Sequence, residues 1–220
     1  IELRILAHLS QDPALLEAFD RDLDIHAATA AQVFDVQLGD VTADHRRLAK
    51  VLNFGVIYGL SAFGIAQQTE LSVEEGRQFI DSYFGRYPGI QEYIERTKAQ
   101  ARELGYVETL MGRRRYIPEV NSSNNNVRQA AEREAVNTPI QGTAADVIKI
   151  AMIRLQRRLE EMQLRTRMLL QVHDELIFEV PPEEMDTMKA MVLELMPSAL
   201  ELAVPLKVDL KVGPTWGDLE

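Results

Sequence analysis

Apolar residues recur at three- and four-residue spacing through most of the chain, and strict alternation with polar residues appears only in short stretches of its second half. The first spacing is the signature of helices and the second of strands. The opening, IELRILAHLSQDPALLEAF, starts in apolar register with no capping residue, as though the first part of an element were missing. Asp24 to Phe34 then reads as a short helix. Thr42 to Tyr58 reads as a longer one, with Thr42 as N-cap, Asp44 in its first turn and Gly59 as its stop.

Ser72 and Glu75 form a capping box for a helix to about Arg86. Tyr87-Pro88-Gly89 separates it from a further helix ending near Leu104. Gly105 to Pro118 alternates around Gly112 and predicts a ribbon, and Asn121 to Asn126 a polar loop. Val127 to Met162 is helical in pattern, with Pro139 and Gly142 expected to break it into two helices or bend it. Thr166–Val172 and Leu176–Val180 form a hairpin around His173-Asp174-Glu175. Met185, Met188, Met191, Val192 and Leu195 make a helical stripe, and Leu206 to Val212 alternates as a last strand. No internal repeat and no linker interrupts this series, so the expected fold class is α+β, in one domain or two intergrown subdomains.

Composition narrows the function classes. With 46% hydrophobic and 26% charged residues the chain is an ordinary folded protein rather than a disordered one. It has no cysteine, which removes disulfides, thiolate zinc sites and thiol nucleophiles. No apolar run approaches the roughly 20 residues that span a bilayer, and no membrane partner is expected; a soluble, cytoplasmic protein fits. The net charge of −10 argues against a protein that coats nucleic acid indiscriminately, while leaving room for a local basic groove. Eighteen arginines against six lysines favour planar phosphate-gripping groups, a bias that genome composition or a hot habitat also produces.

Two constellations carry chemistry. In LLQVHDELIFEV a strand delivers Asp174 and Glu175 side by side at a tight turn. Two carboxylates on a rigid tip suit hard divalent cations, although acids at a turn are also common as solvated groups. In HRRLAKVLNFGVIYG, residues Arg46, Lys50, Phe54 and Tyr58 recur every four positions and therefore share one face of a helix. Such a stripe can grip a triphosphate with its cations and stack a base on its aromatics; it also reads as a solvated basic turn ahead of two core rings.

RRLAKVLNFGVIYG resembles motif B of family A DNA polymerases, of the bacterial DNA polymerase I type, and QVHDEL resembles their motif C. IELRILAHLSQD is similar to the segment just after the motif A aspartate, and NTPIQGTAADVIK to the helix that tracks the primer-template minor groove. With GYVETLMGRRRYIPE between motifs B and C, the resemblance covers essentially the whole chain in the family's order.

The resemblance implies a right-hand polymerase architecture: palm in residues 1–20, helical fingers in 21–104 with the motif B helix at 42–58, and palm again in 105–220. That last part would hold the minor-groove helices, the motif C hairpin at 166–180 and a C-terminal helix and strand. It implies that Arg46 and Lys50 hold the triphosphate with His26 beside them, that Phe54 stacks on the incoming base, and that Tyr58 lies near the templating position. Gly55 and Gly59 would let the helix swing closed over a correct pair. Glu2 would exclude a ribose 2′-hydroxyl, and phenylalanine at position 54 implies poor acceptance of dideoxynucleotides. Asn137 and Gln141 would lie in the minor groove, where acceptors are common to all correct pairs. Arg113, Arg114 and Arg115 would hold the primer-template backbone, and His173 the primer end; a solvated basic turn is the plainer account of the arginine run.

Asp174 and Glu175 would be metal ligands and, with Lys50, the catalytic set. The implied cofactors are two Mg²⁺ ions, with Mn²⁺ as a substitute, for in-line attack of a primer 3′-hydroxyl on a deoxynucleoside triphosphate.

The family's motif A aspartate is not among these residues, nor are the thumb and the upstream basic residues. An N-terminal polymerase portion or a partner chain carrying that aspartate and the thumb is therefore an expected partner, beside primer-template DNA and deoxynucleoside triphosphates, and the chain alone is expected to be inactive. A noncatalytic primer-template-binding module is the rival reading. A phosphohydrolase built on the Asp174-Glu175 hairpin would leave the helix stripe unexplained.

Overall fold

A computed structural model describes residues 1–219, and helices dominate it. α1 (Glu2–Ser10) and α2 (Pro13–Asp20) are joined by Asp12, whose side chain is fully buried. Its Oδ1 accepts from the Leu15 N–H at 3.0 Å and caps α2. Its Oδ2 accepts from the Gly89 N–H at 2.9 Å, at the start of α7 (Pro88–Leu104). Position 89 has no room for a side chain, since a Cβ there would sit 2.9 Å from the Asp12 Cα.

α3 (Ile25–Val33) packs along α4 (Ala43–Ile57). Asp24 caps α3 through bonds from the His26 and Ala27 N–H groups, and Thr42 caps α4 through a 3.1 Å bond from the His45 N–H. Gly59, at φ 76°, turns the chain out of α4 in a conformation that costs a side-chain-bearing residue energy. α5 (Ala62–Gln68) leads to α6 (Val73–Arg86), which opens with the Ser72/Glu75 capping box. β1 (Tyr106–Glu108) and β2 (Arg114–Tyr116) pair antiparallel, Tyr106 opposite Tyr116.

α8 (Asn125–Glu161) is one 37-residue helix. It runs unbroken through both Pro139 and Gly142, which excludes the two-helix reading that the sequence allowed, and it takes in the last two residues of the expected polar loop, capped by Asn124. An internal proline costs about 3 kcal/mol. Burial on both sides of it, through Val136, Ile140, Val147 and Ala151, holds the helix together. Gly142 serves close packing: a Cβ there would lie 2.6 Å from Thr109 Cγ2.

β3 (Arg167–Val172) and β4 (Glu175–Glu179) form a second antiparallel pair, with Val172 opposite Glu175. The turn is therefore two residues, His173-Asp174, with Glu175 already in the strand, and His173 takes the left-handed φ of 54°. Tight hairpins favour turns with a positive φ, which histidine tolerates better than most residues. α9 (Met185–Leu195) covers this hairpin, its Met188, Met191 and Val192 meeting Leu155 and Leu159 of α8.

The strand expected at Leu206–Val212 does not form: the segment pairs with no strand among the described residues. Its alternation appears in burial only over the first half, where Leu206 and Val208 pack against neighbouring cores while Lys207 and Asp209 face water; Leu210 and Val212 are exposed. Without a ladder partner that pattern anchors a strap rather than a strand. The largest core unites α1 through α7 with Val136 and Ile140 of α8 and with Val204. No helix among the described residues is long and apolar enough to cross a membrane.

Candidate active site

α4 presents its stripe as the four-residue spacing requires, and α3 supplies its floor. Arg46 Nε lies 2.5 Å from Asp24 Oδ2, so the residue that caps α3 also holds the first cation of α4. Burial pushes the Asp24 carboxyl up, but the Arg46 bond and the α3 N–H groups outweigh it and keep it below the usual carboxylate range. The His26 ring is 5.7 Å from that of Phe54, and Phe54 is 5.8 Å from Tyr58, giving a ladder of three tilted rings. Burial lowers the His26 pKa, Asp24 opposes, and Arg46 and Lys50 lower it further, so the imidazole is neutral near neutral pH.

At the far end of the stripe the Tyr58 hydroxyl donates to Glu2 Oε2 of α1. Burial and then Glu2 raise the Tyr58 pKa, so the phenol keeps its proton and remains the donor, while the nearby Gln141 side chain of α8 pulls the other way. α8 thereby reaches the stripe, and one turn before Gln141 the buried Asn137 Oδ1 has no hydrogen-bond partner among the described residues.

Asp174 and Glu175 stand exposed at the hairpin tip, and neither forms an ion pair among the described residues. The His173 carbonyl accepts from Gln171 Nε2 at 2.9 Å, which braces the turn. The Tyr58 bond to Glu2 brings the end of the α4 stripe to the first residue of α1. The free carboxylates suit Mg²⁺, which binds one or two acids together with waters and substrate phosphates. Among the described residues no cluster of three or more histidines and acids completes an all-protein metal cage.

The three arginines form part of the β1–β2 ribbon, each with an acid. Arg113 Nε lies 3.0 Å from Asp146 Oδ1 and its Nη2 donates to the Gly142 carbonyl at 3.1 Å. Arg114 pairs with Glu108 at 2.6 Å and lies over the Tyr106 ring, and Arg115 pairs with Glu134. All three are exposed, Arg113 and Arg115 paired with acids of α8 and Arg114 with Glu108 of β1.

Sequence reasoning missed Asp24, whose capping role was visible in the sequence but whose grip on Arg46 was not. It also missed Arg133, because nothing in the chain's pattern places it beside α4. Arg133 lines a cavity of about 270 Å³ with Tyr58, Gly59, Lys98 and Gln129, and a Cβ on Gly59 would sit 2.8 Å from its Cγ.

A cation-aromatic helix face, a glutamate bonded to its last hydroxyl and a paired-carboxylate hairpin are thus carried on one α+β scaffold. The chain belongs to DNA polymerase family A, whose family model matches residues 1–218. It is 53% identical over 218 residues to DNA polymerase I of Geobacillus stearothermophilus, covering 99% of this chain and 25% of that protein. It is likewise 53% identical to DNA polymerase I of Pseudomonas aeruginosa, covering 99% of this chain and 24% of the relative. A solved structure described as the POL domain of Pol1 from M. smegmatis, in complex with DNA primer-template and dNTP, superposes with a TM-score of 0.94 at 48% identity. That match covers 98% of this chain and 38% of the solved one. The chain spans about a quarter of the length of these curated relatives.

Proposed function

We propose that these residues form the nucleotide-binding and part of the catalytic surface of a DNA-templated DNA polymerase that adds deoxynucleotides to a primer 3′-hydroxyl. The observation that carries this reading is the α4 stripe itself, with Arg46 held by Asp24 at one end, three tilted rings along it and Glu2 bonded to Tyr58 at the other. In that reaction the primer oxygen bonds to the α-phosphorus while the bond to pyrophosphate breaks. Arg46 and Lys50 take the triphosphate, and Lys50 offsets the charge that grows on the leaving pyrophosphate. Arg46 must first exchange Asp24 for phosphate oxygens, a swap between two anionic partners. Phe54 offers its face to the incoming base, and Tyr58 occupies the end of the stripe near the template. Glu2, fixed by the Tyr58 hydroxyl, sets the space beside the sugar.

Asn137 and Gln141 face the minor groove from α8, where the unpaired Asn137 oxygen and the Gln141 amide are free to exchange partners. His173 meets the primer end, and the ribbon of Arg113, Arg114 and Arg115 meets the backbone. Asp174 and Glu175 would hold Mg²⁺, which when bound supplies charge neutralisation at the entering and leaving oxygens. We assign a further ligand to the motif A aspartate of a further polymerase portion or partner chain, since Mg²⁺ shared with substrate phosphates takes one or two carboxylates from the protein. The palm and fingers division at residues 20/21 and 104/105 belongs to the same reading, as does a cytoplasmic location.

Primer extension with Mg²⁺ and four deoxynucleotides tests this, comparing the chain alone with the chain joined to a portion carrying the motif A aspartate. Extension is expected only in the second case. Asp174→Ala in the completed protein is expected to abolish extension while primer-template affinity changes less than about threefold. Continued incorporation by that variant would refute the metal assignment. DNA binding without extension in every form would favour the noncatalytic module.

A further inference from the structure

Asn53 is fully buried one residue before Phe54, although its amide carries two donors and two acceptor lone pairs that must find partners. The nucleotide-facing stripe does not include it. Its contacts go to α3: Nδ2 lies 3.0 Å from His26 Nδ1, and Oδ1 lies 3.1 Å from the Thr29 hydroxyl. That hydroxyl is also 2.9 Å from the Ile25 carbonyl, so its single proton is shared between two oxygens. The amide is therefore held between the Thr29 hydroxyl and the ring of His26, both on α3.

We propose that Asn53 is a positioning residue for nucleotide binding: by donating from Nδ2 to His26 Nδ1 it holds the imidazole as the Nε2–H tautomer, so that the opposite edge of the ring donates to a phosphate oxygen. The inference rests on reading the α4 stripe as the nucleotide site. A neutral imidazole has one ring proton, and a nitrogen that accepts from an amide cannot carry it. His26 is held neutral by burial and by Arg46 and Lys50 against the pull of Asp24, which is the state in which tautomer choice matters. The ring also packs against Phe54, so two consecutive residues of α4 fix it, one in proton placement and one in orientation. Arg46 and Lys50 then bring charge to the triphosphate while His26 brings a directional donor. This is what a site gains from a neutral group placed among cations.

The tautomer can be read directly. Long-range ¹H–¹⁵N spectra of histidine-labelled protein containing these residues, near neutral pH, are expected to show the Nε2–H pattern for His26, with His26→Ala assigning the signal. The Nδ1–H pattern would mean that the amide presents its oxygen to the ring, and would overturn the proposal. Asn53→Asp exchanges the donor for an acceptor and is expected to move the proton to Nδ1. In single-nucleotide incorporation it should raise KM for dATP roughly tenfold with little change in kcat, the loss of one hydrogen bond to a charged group.

Adding Asn53→Asp to His26→Ala should raise KM no further. An additive rise would show that Asn53 acts through packing of α4, against the proposal. Should Asn53→Asp fail to fold, the tautomer in the unsubstituted protein still decides. If His26→Ala leaves KM unchanged while the ring is Nε2–H, the nucleotide reading of His26 fails and takes the phosphate half of the proposal with it, while the Asn53 contact stands.

Discussion

Phe54 is half-buried between His26 and Tyr58, so its ring is presented in one orientation instead of sampling several. Phe54→Tyr adds a single hydroxyl to that fixed ring, and chain termination by dideoxynucleotides is expected to rise severalfold in the completed enzyme; equal termination would remove Phe54 from the sugar-sensing part of the site. Glu184 is a residue of the opposite kind, a carboxylate kept for structure. Its oxygens accept from the Arg165 N–H at 2.8 Å, the Thr166 N–H at 2.8 Å and the Thr166 hydroxyl at 2.7 Å. The Arg165 N–H above all, with Thr166, holds its pKa below the usual carboxylate value against the effect of burial. A depressed carboxylate stabilises the fold above the ordinary carboxylate range and loses that contribution as pH falls through its folded pKa. Glu184→Gln should therefore lower Tm clearly near pH 7 and much less near pH 3. A pH-independent difference would contradict this.

Elements differ in how much of them could be read in advance. Thr42 and Ser72 with Glu75 announce a helix start because capping is local chemistry, and the structure uses both as predicted; Asp24, read as the first residue of its helix, proves to be the cap. The β1–β2 ribbon and the β3–β4 hairpin were legible for the same reason, through Gly112 and short alternating runs. Pro139 left a break and a bend equally open, because the buried side chains that carry α8 through it unbroken pack against helices far away in sequence. Leu206–Val212 misled because an alternating sequence cannot say whether a partner strand exists, and without one Leu210 and Val212 stay exposed. In the site, the periodic stripe was visible, whereas the partners of Arg46, Arg113, Arg114 and Arg115 are separated from them in sequence or across the ribbon and leave no local trace.

Gly142 allows a test at this scale. Gly142→Ala gains about 1 kcal/mol of helix propensity but drives a Cβ into Thr109, a clash of the kind that costs about 1–3 kcal/mol. A net loss of about 1 kcal/mol is expected. Thr109→Ser removes the clashing methyl and keeps the hydroxyl that accepts from the Met111 and Arg113 N–H groups. In that background Gly142→Ala should become neutral or stabilising by chemical denaturation. Destabilisation in both backgrounds would place the cost elsewhere on α8.

The whole molecule is tied across long sequence distances. Asp12 fixes α2 to the start of α7, and the main core draws on residues from Ile5 to Val204. Asp12→Ala removes a helix cap and leaves the Gly89 N–H without its acceptor, so a loss of about 2–4 kcal/mol is expected in equilibrium unfolding. A cost below about 1 kcal/mol would show that water replaces the carboxylate. The swing expected of α4 has to take place within this shared core, because Leu52, Val56 and Ile57 of α4 belong to it together with α1 and α7.

At about 55 Å from end to end, α8 meets every one of the four buried cores in turn: Ala131 and Ala135 one, Val136 and Ile140 the main one, Val147 and Ala151 a third, Leu155 and Leu159 the last. A single helix with four such attachments behaves as a graduated ruler. Each of its amides exchanges with solvent only when the core beside it opens, so the profile of exchange along one rod is a map of regional stability for the whole domain.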